Sequence, residues 1–476
     1  MGRRPTAAWI AAVAGLGLAL GCVPPPLAPA RPPDDGGVRV TDGSQSDAIA
    51  GFELVGAPLI FAPTAGGFGL SAVLRSGDAS TLRARVRDEA ATAWTSLPPP
   101  TSPAADIAQW SITGLSPGRR YAYEICIAAG ASGRIACAPP LYSGSAATAP
   151  APGAAFTFGV LADSHIEPRP TLPPGSTVID DGYGFMESTL RAVSADIAAS
   201  DPDFVLDLGD LLDYHLFGFN APPPDPAWAR LAYLNFRRMV GDTLGRAAHF
   251  GVIGNWDGES GCNTGSEIDR SLSQRLLYLP GPTATTYAQG GSANQDYYAF
   301  TWGDALFVAL NVMTYTPSCH LLDYDPGLPD DWTLGATQLA WLEQTLSHAT
   351  SKWRFLFIHH TVGGNAGNDI DSAYGRGGGR AARVGEQAMV HDLMMRYGVQ
   401  VFFYAHDHVF TDMVVDGIHY TLPGSAGAPW KFDASETGYT TYWPDSGYAR
   451  VAVSAASVKV DFVSMGGNVL TSYTLP

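Results

Sequence analysis

The chain has 476 residues, 46% hydrophobic and 15% charged, so it is too apolar for a disordered protein and long enough for two or three domains. Lys and Arg number 28 against 45 Asp and Glu, a net charge of −17. That charge repels polyanions at long range, which argues against nucleic-acid binding and a general membrane-surface role.

The N-terminus reads as an address. Arg3 and Arg4 precede an apolar run from Ala7 to Leu20, followed by Gly21 and Cys22. The run is short for a membrane span, which needs roughly 20 residues. Leu18-Ala19-Leu20-Gly21-Cys22 resembles a lipobox, which implies that residues 1–22 are a signal and that Cys22 becomes the lipidated first residue. The expected location is the bacterial cell envelope, with membrane attachment only through that lipid. Cleavage without lipidation, giving a secreted or periplasmic soluble protein, is the alternative. Residues 23–50, rich in Pro, Gly and Asp, read as a flexible tether. The remaining cysteines, Cys126, Cys137, Cys262 and Cys319, allow three pairings. Cys126–Cys137 and Cys262–Cys319 are the expected ones in an oxidising compartment.

Residues 51–150 read as a β domain. Leu82, Ala84 and Val86 alternate with Arg83, Arg85 and Arg87, the pattern of a half-buried strand. Trp110 to Ile125 reads as strand, turn and strand. Its Gly114-Leu115-Ser116-Pro117-Gly118 turn and Tyr121 and Tyr123 resemble the tyrosine corner of fibronectin type III-like sandwiches. After a small-residue linker the pattern changes in residues 156–476. Short apolar strands end in polar residues, with helices expected at 185–199, 226–244, 335–348 and 381–397. Tyr297 to Val312 and Val451 to Val463 read as antiparallel pairs.

Five strand ends carry the candidate chemistry: Asp163 and His165, Asp210, Asn255, His359 and His360, and His406 and His408. Open α/β sheets place ligand sites at the carboxyl ends of strands, so these donors are expected to converge. The series Asp163-Ser164-His165, Gly209-Asp210, Gly254-Asn255-Trp256-Asp257, His359-His360 and Ala405-His406-Asp407-His408 resembles the calcineurin-like metallophosphoesterase superfamily. With a β domain in front, the layout is also similar to purple acid phosphatases. The resemblance implies a fold: an N-terminal all-β sandwich, then an α/β (α+β) domain of two mixed sheets packed together and flanked by helices.

The same resemblance implies two metal ions, with Fe, Zn or Mn expected. Asp163, His165 and His408 are expected on one, Asn255, His359 and His406 on the other, with Asp210 bridging. It implies hydrolysis of small phosphate esters by a metal-activated hydroxide, with monoesters favoured over nucleotide or glycerol diesters. A catalytically silent module that kept the fold is the rival from another class. Only one of His359 and His360 can coordinate if side chains alternate along the strand, and the family pattern of an apolar strand, the ligand His and then a substrate-facing residue implies His359 as the ligand and His360 as the catalytic group.

Trp256 stands where the family usually has a His. Either another group supplies the proton, His360 first and His215 second, or substrates are limited to good leaving groups; alternatively Trp256 forms an apolar wall that stacks on an aryl or nucleoside group. Asp213 stands where purple acid phosphatases have Tyr, and Tyr214 is one residue late, so no tyrosinate colour is expected. Asp213 reads either as an orienting partner for a ligand His or as a simple loop residue. The glycine-rich stretch 363–379, with Arg376 and nearby Arg380, reads as a lid or a solvated loop. The acids Asp323, Asp325, Asp330 and Asp331 match no calcium loop. Metal identity, natural substrate and oligomeric state are not fixed by the sequence.

Overall fold

A computed structural model describes residues 51–129, 134–166, 187–213, 226–259, 265–316, 333–362, 386–428 and 430–476. Cys22, the tether, Cys262, Cys319, Tyr214, His215, the acids at 323–331 and the stretch 363–380 lie outside the described residues.

The strands expected in the second half form where the apolar runs are. Phe156–Leu161, Phe204–Asp207 and Ala248–Gly251 run parallel in one sheet. Ala305–Ala309, Trp353–Phe357, Val401–Phe403 and Ile418–Pro423 run parallel in a second, with Tyr298–Trp302 and Phe410–Val415 as its antiparallel edges. The central parallel runs are mostly apolar because both faces are covered. Alternate residues still choose different faces. Phe158, Phe204, Phe250, Phe307, Phe355 and Phe403 point between the two sheets into one core. There the Phe250 and Phe300 rings stack at 4.0 Å and Phe158 meets Phe307 edge-on at 5.2 Å. Leu161 and Val205 face outward, where helices Glu187–Ala199 and Pro226–Met239 cover them with Leu190, Val193 and Phe236. On the opposite outer face, Leu306, Leu356 and Phe402 meet Leu342, Val390 and Met394 of helices Gly335–Ser347 and Glu386–Arg396. The result is helix, sheet, sheet, helix, with both sets of parallel strands ending on the same side.

The N-terminal β sandwich is built as expected, and Tyr121 closes its corner by accepting the Ser116 N–H at 2.8 Å. Strand Leu82–Asp88 has the alternating burial its Arg-apolar pattern implies, and it pairs with Arg120–Ala129. One finding goes beyond the sequence reading. Strands Leu59–Thr64, Gly67–Ser76 and Ile107–Thr113 continue the first sheet of the second half, joined where Phe61 lies beside His249. The Tyr123 hydroxyl also donates to the Gly245 carbonyl. The sandwich is therefore fused to the metal-site scaffold rather than hung from it. Cys126 and Cys137 form the expected disulfide. A further helix, Gly265–Tyr278, stands where the sequence reading placed none.

Candidate metal centre

Five loops leave the carboxyl ends of the parallel strands and are laced to one another by backbone. The Asp163 and His165 amides donate to the carbonyls of Gly209 and Asp210. The Ala405 amide donates to His359 O, and the His406 amide to Asp163 Oδ1 at 3.2 Å. Gly209 and Gly254 let two of these loops touch. A Cβ on Gly254 would sit 2.2 Å from both the amide nitrogen and Oδ1 of Asp210.

Asp163, His165, Asp210, His406 and His408 all have positive φ, between 45° and 76°. They are five of the nine non-glycine residues in that region among the described residues. Each costs roughly 1 kcal/mol or more, and such strain concentrates where geometry serves function.

The loops bring all seven sequence-predicted donors together, buried. Asp163, His165, Asp210 and His408 each offer one ligand atom within 4.8 Å of the others. His359, His360 and His406 form a second such group. One carboxylate oxygen, Asp210 Oδ2, reaches from the first group toward the second: it lies 3.6 Å from His165 Nε2 and 3.1 Å from His359 Nε2. Its partner, Oδ1, accepts the Trp256 N–H at 2.7 Å, which fixes the direction of the carboxylate. The histidines are fixed from behind. His359 Nδ1 meets Leu208 O at 2.8 Å and His408 Nδ1 meets Trp430 O at 3.1 Å, so each Nε2 lone pair is turned inward.

The donor chemistry fits cations. Asp163 Oδ2 is buried and has no hydrogen-bond partner among the described residues. The Asn255 side-chain amide faces His359 Nε2 at 3.1 Å and His406 Nδ1 at 3.0 Å. Which of these atoms donates depends on the tautomers of the two imidazoles and on which way the amide is turned. Reversing the amide would let its nitrogen donate to both imidazoles instead.

Electrostatics say the same. Burial and the Asp210 charge push Asp163 well above the usual carboxylate range. Burial opposes ionisation of Asp210 too, but the His359 and His165 imidazoles outweigh it and hold that carboxyl below the usual range. Burial alone would lower His359, yet the Asp210 and Asp163 carboxylates hold it up to about 9. A cluster of this kind binds protons when it does not bind metal.

The premise used to divide His359 from His360 does not apply. The strand ends at Phe357, so strict alternation has stopped before either residue. His359 Nε2 faces Asp210 and Asn255, whereas the His360 ring stacks on His406 with centroids 4.1 Å apart. Trp256 stands edge-on to His165 at 5.3 Å. Asp213 is buried, and its amide donates to Ile166 O.

Three residues escaped the sequence reading. Asp257 Oδ2 accepts the Gly254 and Asp210 amides at 2.7 and 3.1 Å, and its Oδ1 accepts the Leu212 amide at 3.0 Å. It ties the Asp210 loop to the Asn255 loop. Burial and the neighbouring Asp210 push it up to about 7, against three N–H donors that favour its charge. Trp430 covers His165 and His408, at 4.8 and 5.1 Å. Lys431, lowered to about 8 by burial, forms no ion pair within 4.0 Å among the described residues, and its ammonium donates to Ala428 O. The only advance signal for Asp257 was its place two residues after Asn255.

No curated protein matches the chain. Among solved structures, one titled "Structure of PhoD" aligns with a TM-score of 0.62 at 15% identity, covering 88% of this chain and 89% of that one. At that identity the likeness is one of fold, and it spans both the β sandwich and the α/β half. GAP50, the anchor in the inner membrane complex of Plasmodium, aligns at 15% identity over 67% of this chain and 88% of its own, with a TM-score of 0.39. A putative 5′-nucleotidase from Staphylococcus aureus aligns at 17% identity over 68% and 54%, with a TM-score of 0.35. Residues 156–410 match the family model described as calcineurin-like phosphoesterase. That span holds all seven donors and exceeds half of the chain: the protein belongs to the calcineurin-like phosphoesterase family and is a metal-dependent phosphoric ester hydrolase.

Proposed function

We propose that this chain is an exported phosphate monoesterase with a dinuclear metal centre. The observation that carries the reading is Asp210 Oδ2, a single buried carboxylate oxygen that faces one histidine from each of two groups of donor atoms. Asp163, His165 and His408 would hold one ion, Asn255, His359 and His406 the other, and Asp210 both. Bound there, such a pair acidifies water and offsets charge on phosphoryl oxygens. The chain's own groups do the rest. The Trp256 amide and the Leu208 and Trp430 carbonyls orient the donors. His360, stacked on His406, is the group we assign to move a proton to the leaving oxygen.

Monoester preference draws on Lys431, a largely buried ammonium that interacts with Asp163 and donates to Ala428 O, as a cation near the centre for the second negative charge of a monoester dianion. Export is supported by the Cys126–Cys137 disulfide. The lipid on Cys22 belongs to the same proposal and predicts that Cys22→Ser moves the protein from the membrane fraction to the soluble one.

The test is a panel of phosphate mono- and diesters assayed with added Mn, Zn or Fe. Metal-dependent turnover, faster on monoesters and lost in Asp210→Asn, is expected. In His360→Ala, alkyl phosphates should suffer more than nitrophenyl phosphates, whose leaving groups need no proton. Equal losses on both remove His360 from the proton-donor role. Absence of turnover with every metal contradicts the proposal.

A further inference from the structure

Three aromatic residues rim the metal centre without being buried. Trp256, Trp430 and Phe432 are each half-buried. Trp256 and Trp430 form a tilted pair with centroids 6.2 Å apart, both against the His165 ring. Phe432 stands 5.3 Å from His408, on the other donor of the same group. Large apolar side chains that are only half-buried beside a cluster of carboxylates and imidazoles keep part of each ring in contact with water. Trp256 comes from the Asn255 loop, and Trp430 and Phe432 from the segment after Ile418–Pro423. Two unrelated parts of the chain therefore deliver aromatic faces to one place. Lys431 lies between Trp430 and Phe432 in sequence, and its ammonium donates to Ala428 O.

We infer that Trp256, Trp430 and Phe432 form a leaving-group subsite that takes a planar aromatic ring. This deepens the proposed function and rests on it. The substrates it selects are phosphate monoesters of aromatic groups, either aryl or nucleoside, over those of short polyols. Aromatic surfaces recognise such rings by stacking, which tolerates the identity of the ring.

The test compares phenyl phosphate, adenosine monophosphate and glycerol phosphate on the metal-loaded full chain and on Trp256→Ala, Trp430→Ala and Trp430→Phe. Each Ala variant is expected to lower kcat/KM on at least one aromatic substrate by about five- to fifty-fold more than on glycerol phosphate, chiefly through KM. Trp430→Phe, which keeps a ring, recovers most of the difference. The aromatic substrate with the larger loss identifies the ring as aryl or nucleoside. Bound metal is measured in parallel, since a ring that only props His165 and His408 would shed metal when removed and slow all three substrates together. Equal losses on all three, with or without metal loss, overturn the subsite. Wild-type protein that holds metal and hydrolyses none of the three overturns the proposed function instead.

Discussion

Replacing Asp257 tests whether the two central loops are held by one carboxylate. In Asp257→Ala three buried amides, those of Asp210, Leu212 and Gly254, lose their acceptor. At about 1–3 kcal/mol for each buried N–H left unpaired, the gross loss is roughly 3–9 kcal/mol. Water entering the vacated volume satisfies one or two of them, which brings the expected loss to about 3–4 kcal/mol. Asp257→Asn keeps the volume and one carbonyl oxygen for the Gly254 and Asp210 amides, but turns an NH2 toward Leu212, so it should lose only about 1–3 kcal/mol. The damage should also reach the metal, because the Asp210 and Asn255 loops are the two being tied. Stability is read by denaturant titration and metal affinity by competition with a chelator. The reasoning predicts wild type above Asn above Ala in both. An Ala variant equal to wild type in both, or an Asn variant as damaged as Ala, would refute it.

Other consequences follow from the same geometry. Gly254→Ala places a methyl 2.2 Å from the Asp210 amide and carboxylate, so it should abolish metal binding and turnover while the β sandwich stays folded, as far-ultraviolet circular dichroism can report. His359, held at about 9 against an ordinary 6.5, is protonated in the metal-free fold at neutral pH. Its contribution to metal-free stability is complete below about 6.5 and is lost as pH rises through about 9. Metal must displace that proton, so affinity should rise with pH across this window. Titration calorimetry in buffers of different ionisation enthalpy should find net proton release at pH 7, and zero release contradicts the assignment. Reducing Cys126–Cys137, which closes a short loop in the sandwich, should cost about 3 kcal/mol in the entropic account. Because the sandwich shares a sheet with the metal scaffold, that loss should lower the temperature at which activity disappears. Unchanged heat inactivation under reducing conditions would show that the two are uncoupled.

What was legible in the sequence was whatever a strand announces locally. The apolar runs ending in Asp163, Asp210, Asn255, His359 and His406 marked both the parallel strands and the site, because a strand covered on two faces must be apolar and its end must turn. The left-handed conformation of five donors carried a trace too, since Asp and His tolerate that region better than most residues. What stayed hidden depends on contacts between distant segments. The pairing of His249 with Phe61, which fuses the sandwich to the larger sheet, leaves no periodic mark in either strand. Helix Gly265–Tyr278 presents a sparse apolar face in a polar stretch, and few of its side chains are buried. The Asp257 staple and the Trp430–Phe432 rim are defined by what they touch, and no spacing rule anticipates that. For His359 and His360 the alternation of a strand does not decide which side chain faces inward, because the strand ends at Phe357.

The central claim is that Asp210 lies between two cations. It is tested most directly by elemental analysis of purified wild-type chain beside Asp210→Ala. Two equivalents of transition metal in the wild type, falling below one in the variant, is the result expected. A wild-type chain that folds, retains its disulfide and takes up no metal after dialysis against Mn, Zn and Fe would contradict it.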